Sequence, residues 1–242
     1  MIEYRAWRYR LLKDVAEIKY LRKNLKKGDI AVDIGAHKGG YMYWMLKQVG
    51  YQGKCYAFEP QPILFKYLQN LKFKSLTENL IVENKGVSST RSGFQLYIPK
   101  TKNGTSPSAT LNLPTEETES NFYNVQIEST TLDHYFFEEN IFPHLIKIDV
   151  EGHELEVLKG GEDLLTHHPP KLILECEQRH LQNHTLQDVF DFLQQRNYKG
   201  FFILGKKLIP LEEFNIAKHQ KIGEGRFWEE KGYVNNFIFE PK

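Results

Sequence analysis

The sequence predicts an α/β fold in which a doubly wound, mostly parallel sheet carries helices on both faces. Three observations lead there. Short apolar runs of strand length alternate with stretches of helical spacing along most of the chain. The first run, Ile30 to Ile34, has Ile30, Ala31, Val32 and Ile34, the continuous apolar content that a strand buried on both faces requires. It passes through Gly35, Gly39 and Gly40 into residues 41–49, where Met42, Met45, Leu46 and Val49 recur at helical spacing. Strand, glycine turn and helix in that order open a nucleotide-type site.

Ahead of this unit, residues 1–29 read as a helical lead-in, with Val15, Ile18, Leu21 and Leu25 on one face and Gly28-Asp29 as the stop. A second strand follows at Cys55 to Phe58, then a helix over Ile63 to Leu71 and a third strand at Leu80 to Val82. Phe94 to Ile98 alternates apolar and polar residues and suits an exposed antiparallel strand. Residues 100–124, rich in Thr, Ser, Asn and Pro, read as a long loop. The core pattern resumes at Val125 to Ile127, with a short helix over Leu132 to Phe137 and a fourth strand over His144 to Val150. A helix over Leu155 to Leu165 is ended by Pro169-Pro170, and Leu172 to Cys176 forms a fifth strand. Thr185 and Asp188 form a capping box for a helix reaching about Tyr198. Phe201 to Leu204 and Phe237 to Phe239 supply two late strands, the antiparallel end of the sheet, separated by a charged segment over 205–236.

A chain of 242 residues with 40% hydrophobic content can bury one large core. Its 32 basic and 31 acidic residues nearly balance, which argues against a nucleic-acid partner held by a strongly basic surface. No apolar run approaches the length of a membrane span. The N-terminus is basic without an apolar stretch, so no secretory signal is expected. Cys55 and Cys176 fall in strands and are expected as buried free thiols in a cytoplasmic protein.

Two carboxylates narrow the ligand. The dinucleotide fingerprint is G-x-G-x-x-G, whereas this chain has G-x-x-x-G-G with Asp33 immediately before the turn. An ionised aspartate there repels a phosphate but suits S-adenosylmethionine, which has no phosphate and carries a sulfonium and an ammonium. Glu59-Pro60 ends the second strand, where a carboxylate accepts hydrogen bonds from both ribose hydroxyls. The second constellation is LIKIDVEGHE, 145–154. Lys147 and Asp149 share one strand face, and Asp149, Glu151, His153 and Glu154 crowd its end. His153 is a candidate base by its intrinsic pKa, expected to be raised by the neighbouring carboxylates; Asp149 assisted by Lys147 is the other. Asp149, Glu175 and Glu177 form an oxygen-rich set that could take a divalent metal, although none is required. His153-Glu154 is no zincin motif, because Val157 stands where the second histidine belongs. His180 and His184 are expected in a loop.

VDIGAHKGG, AFEP, STTLD and IKIDVEGHELEVLKGG, in this order and spacing, resemble the FkbM family of S-adenosylmethionine-dependent methyltransferases. The resemblance runs from about Asp29 to Glu177, with Asn236 to Phe239 similar to the family's last strand. It implies a class I methyltransferase, Rossmann-like fold with a seven-stranded sheet. It also implies O-methylation of a hydroxyl on a sugar, glycolipid or polyketide-type small molecule. Residues 1–28 would then be the lead-in and 29–242 the methyltransferase domain, with 100–124 and 205–236 as loop insertions. Carried over by position, Asp33, Gly35 and Glu59 would hold the cofactor, with Ala36, His37, Gly39 and Pro60 in the same turns. Ser88 would lie near the adenine, and Asp149 near the methionine end and the acceptor. The family often has asparagine where this chain has His37. Lys147, Asp149, Glu151 and His153 are the expected catalytic group, and the acceptor a small molecule or glycan. The rival readings are an NAD-dependent oxidoreductase, disfavoured by Asp33 and the missing G-x-G-x-x-G, and a non-catalytic cofactor-binding or scaffold protein.

Overall fold

The computed structural model of the chain describes residues 2–71, 78–111 and 119–242. Residues 112–118 of the expected 100–124 loop lie outside them. The lead-in is two helices, α1 (Ile2–Leu12) and α2 (Val15–Asn24). Then come β1 (Ile30–Ile34), α3 (Gly40–Val49), β2 (Lys54–Phe58), α4 (Pro62–Gln69), β3 (Leu80–Glu83), β4 (Gly86–Val87), β5 (Gly93–Pro99) and β6 (Phe122–Thr130). The second half runs β7 (Leu145–Ile148), α5 (Glu154–Lys159), α6 (Glu162–His167), β8 (Lys171–Glu175), α7 (Leu186–Gln194), β9 (Tyr198–Leu204), β10 (Lys207–Pro210), α8 (Ile216–His219) and β11 (Asn236–Pro241).

The main sheet has the order β10-β9-β11-β8-β7-β1-β2-β3. From β8 to β3 every pairing is parallel, while β11 runs antiparallel to both β8 and β9, and β10 antiparallel to β9. The expected seven strands are therefore eight. The added strand is β10, which closes a hairpin with β9 through Gly205-Lys206. Its Lys207 and Pro210 suit an exposed sheet edge and masked its strand character among charged neighbours. A three-stranded sheet, β4-β6-β5, stands apart. There β5 and β6 pair antiparallel from Gly93↔Glu128 to Pro99↔Phe122, so β6 begins inside the stretch read as loop. Leu96, Tyr97 and Ile98 are buried, which makes β5 less exposed than its alternation suggested.

Successive side chains of a strand point to opposite faces, and the two cores follow that rule. Val32, Ile34, Ile146, Ile148, Leu172 and Leu174 pack with Leu155 and Leu158 of α5, Leu164 of α6 and Val189 of α7. Ala31, Leu145 and Ile173 pack on the other side with Ile18 and Leu21 of α2 and Met42 to Leu46 of α3. Asp33 and Lys147 share this second face, one step from Ala31 and Leu145, and the register sets them side by side. The lead-in helices are bound to it: the indole Nε1 of Trp44 donates to the Ala6 carbonyl at 2.8 Å, and Trp7 packs edge-on against Trp44. Burying Ile18 and Leu21 completely contributes about 1.5–3 kcal/mol each.

Two features of the second half set the site. The order reverses between β1 and β7, so the crevice at their C-terminal ends is the topological switch point where open α/β sheets bind ligands. The helix expected over 155–165 is broken at Gly160-Gly161 into α5 and α6. A Cβ at Gly160 would lie 2.0 Å from the Ser88 carbonyl oxygen, so only glycine lets the chain leaving β4 pass this close. Gly160→Ala should destabilise the protein by about 3 kcal/mol or more through forced backbone displacement. An unchanged urea midpoint would contradict that packing.

Candidate active site

The ends of β1, β2, β7 and β8 open into a cavity of about 1260 Å³. Its lining includes Asp33, Gly35, Ala36, His37, Glu59, Pro60, Lys147, Asp149, Glu151, His153 and Glu175. Of the candidate site residues singled out in the sequence, Gly39, Ser88, Glu154 and Glu177 do not line it. A Cβ at Gly39 would meet the side chains of Met42, Ile2 and Leu68, so this glycine serves packing. Gly35 has a positive φ as Gly39 does, +80° against +75°, but a Cβ there would fall 1.9 Å from backbone, the Asp149 carbonyl oxygen. The glycine turn after β1 is thus pressed against the end of β7.

Lys147 is the hub. Its side chain is 2% exposed, and its Nζ donates to Asp149 Oδ2 at 2.7 Å and lies 4.6 Å from the centre of the Tyr41 ring. Burial alone would lower the ammonium's pKa, but Asp149, Asp33 and Glu175 outweigh it and hold the pKa above its ordinary value. Asp33 accepts from the Met42 amide at 2.9 Å through Oδ2, tying β1 to α3. Its Oδ1 is buried without a partner among the described residues, and burial pushes its carboxyl up to about 6. Glu59 accepts from the amides of His37 at 2.7 Å and Gln61 at 2.9 Å, bracing both turns, and burial takes it up to about 7. His37 has φ 47°, and burial, with Lys38 and Arg5 nearby, holds it down to about 4, so its ring is neutral.

The strand-end segment behaves differently from its sequence reading. Burial lowers the pKa of His153, and its charged neighbours are Glu156 and His184 rather than Asp149 and Glu151. Its Nε2 lies 2.9 Å from Ser88 Oγ, within hydrogen-bond distance. Glu151 pairs with His180, Nδ1 to Oε2, at 2.7 Å. His180 is thus the imidazole with a raised pKa, because Glu151 outweighs the effect of burial. Nothing local to His180 in the chain, beyond its spacing from His184, pointed to this pairing. Glu154 is 1% exposed and accepts from the Gly152 amide at 3.0 Å, so it braces the turn after β7.

The lead-in contributes acids that the sequence reading passed over. Asp14 and Glu17 line the cavity beside Tyr9 and Tyr41. Burial pushes Asp14 up to about 6 and Glu17 up to about 8. Glu175 is also raised, by burial and then by Asp149. The set Asp149, Glu175 and Glu177 does not assemble into a metal site: Arg179 grips both oxygens of Glu177, at 2.7 and 3.0 Å, and Tyr233 donates to it as well. Among the described residues no group of three His, Cys, Asp or Glu side chains is placed to hold a metal ion. Cys55 and Cys176 are buried free thiols.

S-adenosylmethionine fits this lining. Among the described residues Asp33 Oδ1 has no hydrogen-bond donor, and Glu59 sits at the end of β2, where ribose hydroxyls bind in open α/β sheets. The fold and its acid-lined switch point define the class I methyltransferases. The Methyltransferase FkbM domain model matches residues 33–199, and the chain belongs to that family. No protein of curated function matches. The structure of methyltransferase FkbM from Methylobacillus flagellatus KT superposes with a TM-score of 0.54 at 16% identity, over 98% of this chain and 53% of that one. The present chain therefore spans about half of that protein's length. A putative rRNA-methylase from Clostridium thermocellum gives a TM-score of 0.50 at 10% identity, over 93% of this chain and 94% of that one. Precorrin-6y C5,15-methyltransferase from Geobacter metallireducens GS-15 gives 0.50 at 11% identity, over 95% and 88%. At such identities these likenesses speak for the fold alone.

The raised pKa of Glu59 makes stability depend on pH. Its folded state holds a proton more tightly than the unfolded chain, so its contribution is complete below about 4.5 and is lost as pH rises through about 7. Stability of the ligand-free protein should fall across that window by about 3 kcal/mol more in the wild type than in Glu59→Gln. Identical slopes of urea midpoint against pH in the two proteins would contradict the burial of this carboxyl.

Proposed function

We propose that the chain is an S-adenosylmethionine-dependent methyltransferase acting on a hydroxyl of a small molecule or glycan. The observation that carries this reading is the Asp149 carboxylate, anchored by buried Lys147 and opening into the cavity beside the Gly35 and Glu59 turns. When bound, S-adenosylmethionine supplies an electrophilic sulfonium methyl that needs little further activation. The protein's task is then chiefly alignment, which can supply about 7–11 kcal/mol.

The residues divide that task. Asp33 would offer Oδ1 to the cationic end of the cofactor, Glu59 would accept from its ribose hydroxyls, and Gly35, Ala36 and His37 would line the turn against it. Pro60 continues the Glu59 wall. Asp149 accepts the hydrogen of the acceptor hydroxyl and takes the proton, while Lys147 fixes its orientation by holding Oδ2. His153, neutral and held by Ser88, and Glu151, held by His180, shape the acceptor side. No divalent metal is assigned, because Glu177 is committed to Arg179. An oxidoreductase reading has no support in the turn, where Asp33 stands in place of a phosphate cradle. The segments 100–111 and 205–236 close the cavity with Pro107, Ala109, Leu111, Trp228 and Tyr233, which fits a part in acceptor recognition.

Glu59→Ala should weaken S-adenosylhomocysteine binding about tenfold or more by calorimetry, since hydrogen bonds to a charged acceptor are worth about 1.5–3 kcal/mol each. Asp149→Asn should lower the transfer of labelled methyl by about 10²-fold or more. The labelled product should be an alkali-stable methyl ether. A product that releases its label in mild base is an ester and would contradict the hydroxyl assignment.

A further inference from the structure

Beside the main cavity lies a second one of about 320 Å³, lined by Tyr4, Arg5, Arg8, Tyr9, Lys13, Lys38 and Tyr67. Four of these carry positive charge, three are tyrosines, and no carboxylate is among them. Arg5 and Arg8 stand three apart on α1 and so share a face; Lys13 follows the end of α1, and Lys38 sits in the turn after β1, next to His37. Among the described residues none of the four cations takes part in an ion pair. Arg5, Arg8, Tyr9, Lys13 and Lys38 also line the main cavity, so the two spaces meet at its mouth. Concentrating unpaired cations in a concave site costs repulsion that an anion relieves, and guanidinium groups match phosphate oxygens bidentately. The floor of the main cavity has the opposite character, with Asp14, Glu17, Asp149 and Glu175.

We propose that this basic, tyrosine-lined pocket is a phosphate subsite, which holds a phosphate or pyrophosphate group of the methyl acceptor while its hydroxyl reaches Asp149. The inference rests on the methyltransferase reading, and names its acceptor as a phosphorylated compound. That group could belong to a soluble nucleotide-linked molecule or to a lipid-linked one; Trp7, Leu11 and Leu12, exposed on the same helix, make the lipid source concrete.

Three titrations on the full chain test it: S-adenosylhomocysteine and inorganic pyrophosphate by calorimetry, and co-sedimentation with phosphatidylglycerol-containing vesicles against phosphatidylcholine vesicles. Pyrophosphate should bind saturably, and the Arg5→Ala/Arg8→Ala double variant should lose about tenfold or more of that affinity, a factor of ten being about 1.4 kcal/mol. Lys26→Ala/Lys27→Ala, exposed ahead of β1 at the opposite end of the sheet, should leave it unchanged, and S-adenosylhomocysteine affinity should be equal in all three proteins. Sedimentation with anionic vesicles that pyrophosphate and the Arg5/Arg8 variant both abolish places the phosphate on a lipid. Pyrophosphate binding without sedimentation places it on a soluble acceptor. Absence of saturable pyrophosphate binding in the millimolar range overturns the subsite, as does equal loss in the Lys26/Lys27 variant. Parallel loss of S-adenosylhomocysteine affinity in the Arg5/Arg8 variant also overturns it, since the cations would then serve the cofactor's own carboxylate. Failure of the wild type to bind S-adenosylhomocysteine refutes the methyltransferase reading separately.

Discussion

A buried ammonium governs this molecule. Lys147 sits in a central parallel strand with 2% exposure, where an unpaired charge would cost several kcal/mol. It persists because Asp149 binds it directly and Asp33 and Glu175 add their fields from the flanking strands. The face of Tyr41 completes the enclosure. Removing one partner of such a buried pair is typically destabilising by about 3–5 kcal/mol, so the pair fixes where β7 ends and which way Asp149 points. The ion pair is therefore a structural constraint that holds a carboxylate at the cavity wall.

The rest of the site follows from bringing chain ends close to that pair. Gly35 allows the turn after β1 to touch the Asp149 backbone, and Glu154 ties down the turn that follows β7. Glu59 joins the β1 and β2 turns through two backbone amides. On the same face, α1 and α2 dock on α3 and bring Asp14 and Glu17 to the cavity wall. These carboxyls are raised by burial, so their ionised forms weigh against the ligand-free fold above neutral pH. A bound cation or hydroxyl donor relieves that cost, which links ligand binding to stability.

The alternation of apolar runs made the parallel core legible, because strands buried on both faces have little freedom of composition. The acids at the ends of β1, β2 and β7 were legible for the opposite reason: charge beside an apolar strand has to be accounted for. Edge and satellite elements were not. β10 is short, largely exposed and begins at Lys207 just after Lys206, and β6 starts within a Thr- and Asn-rich stretch, so neither carries a core pattern. The pairing of Glu151 with His180 joins residues 29 positions apart in the chain, and local spacing holds no trace of it. His153 shows the same limit. Its neighbours in the chain are acids, yet its neighbours in space are Ser88, Phe94 and Glu156, and burial reverses the expected direction of its pKa.

The central claim is that the switch point between β1 and β7 holds a cationic, phosphate-free cofactor because Asp33, Glu59 and Asp149 surround it. Parallel calorimetric titrations of the wild-type chain with S-adenosylhomocysteine and with NAD test it most directly. Saturable binding of S-adenosylhomocysteine in the micromolar range, with no heat from NAD, is the result expected. Binding of NAD in preference to S-adenosylhomocysteine would contradict the account.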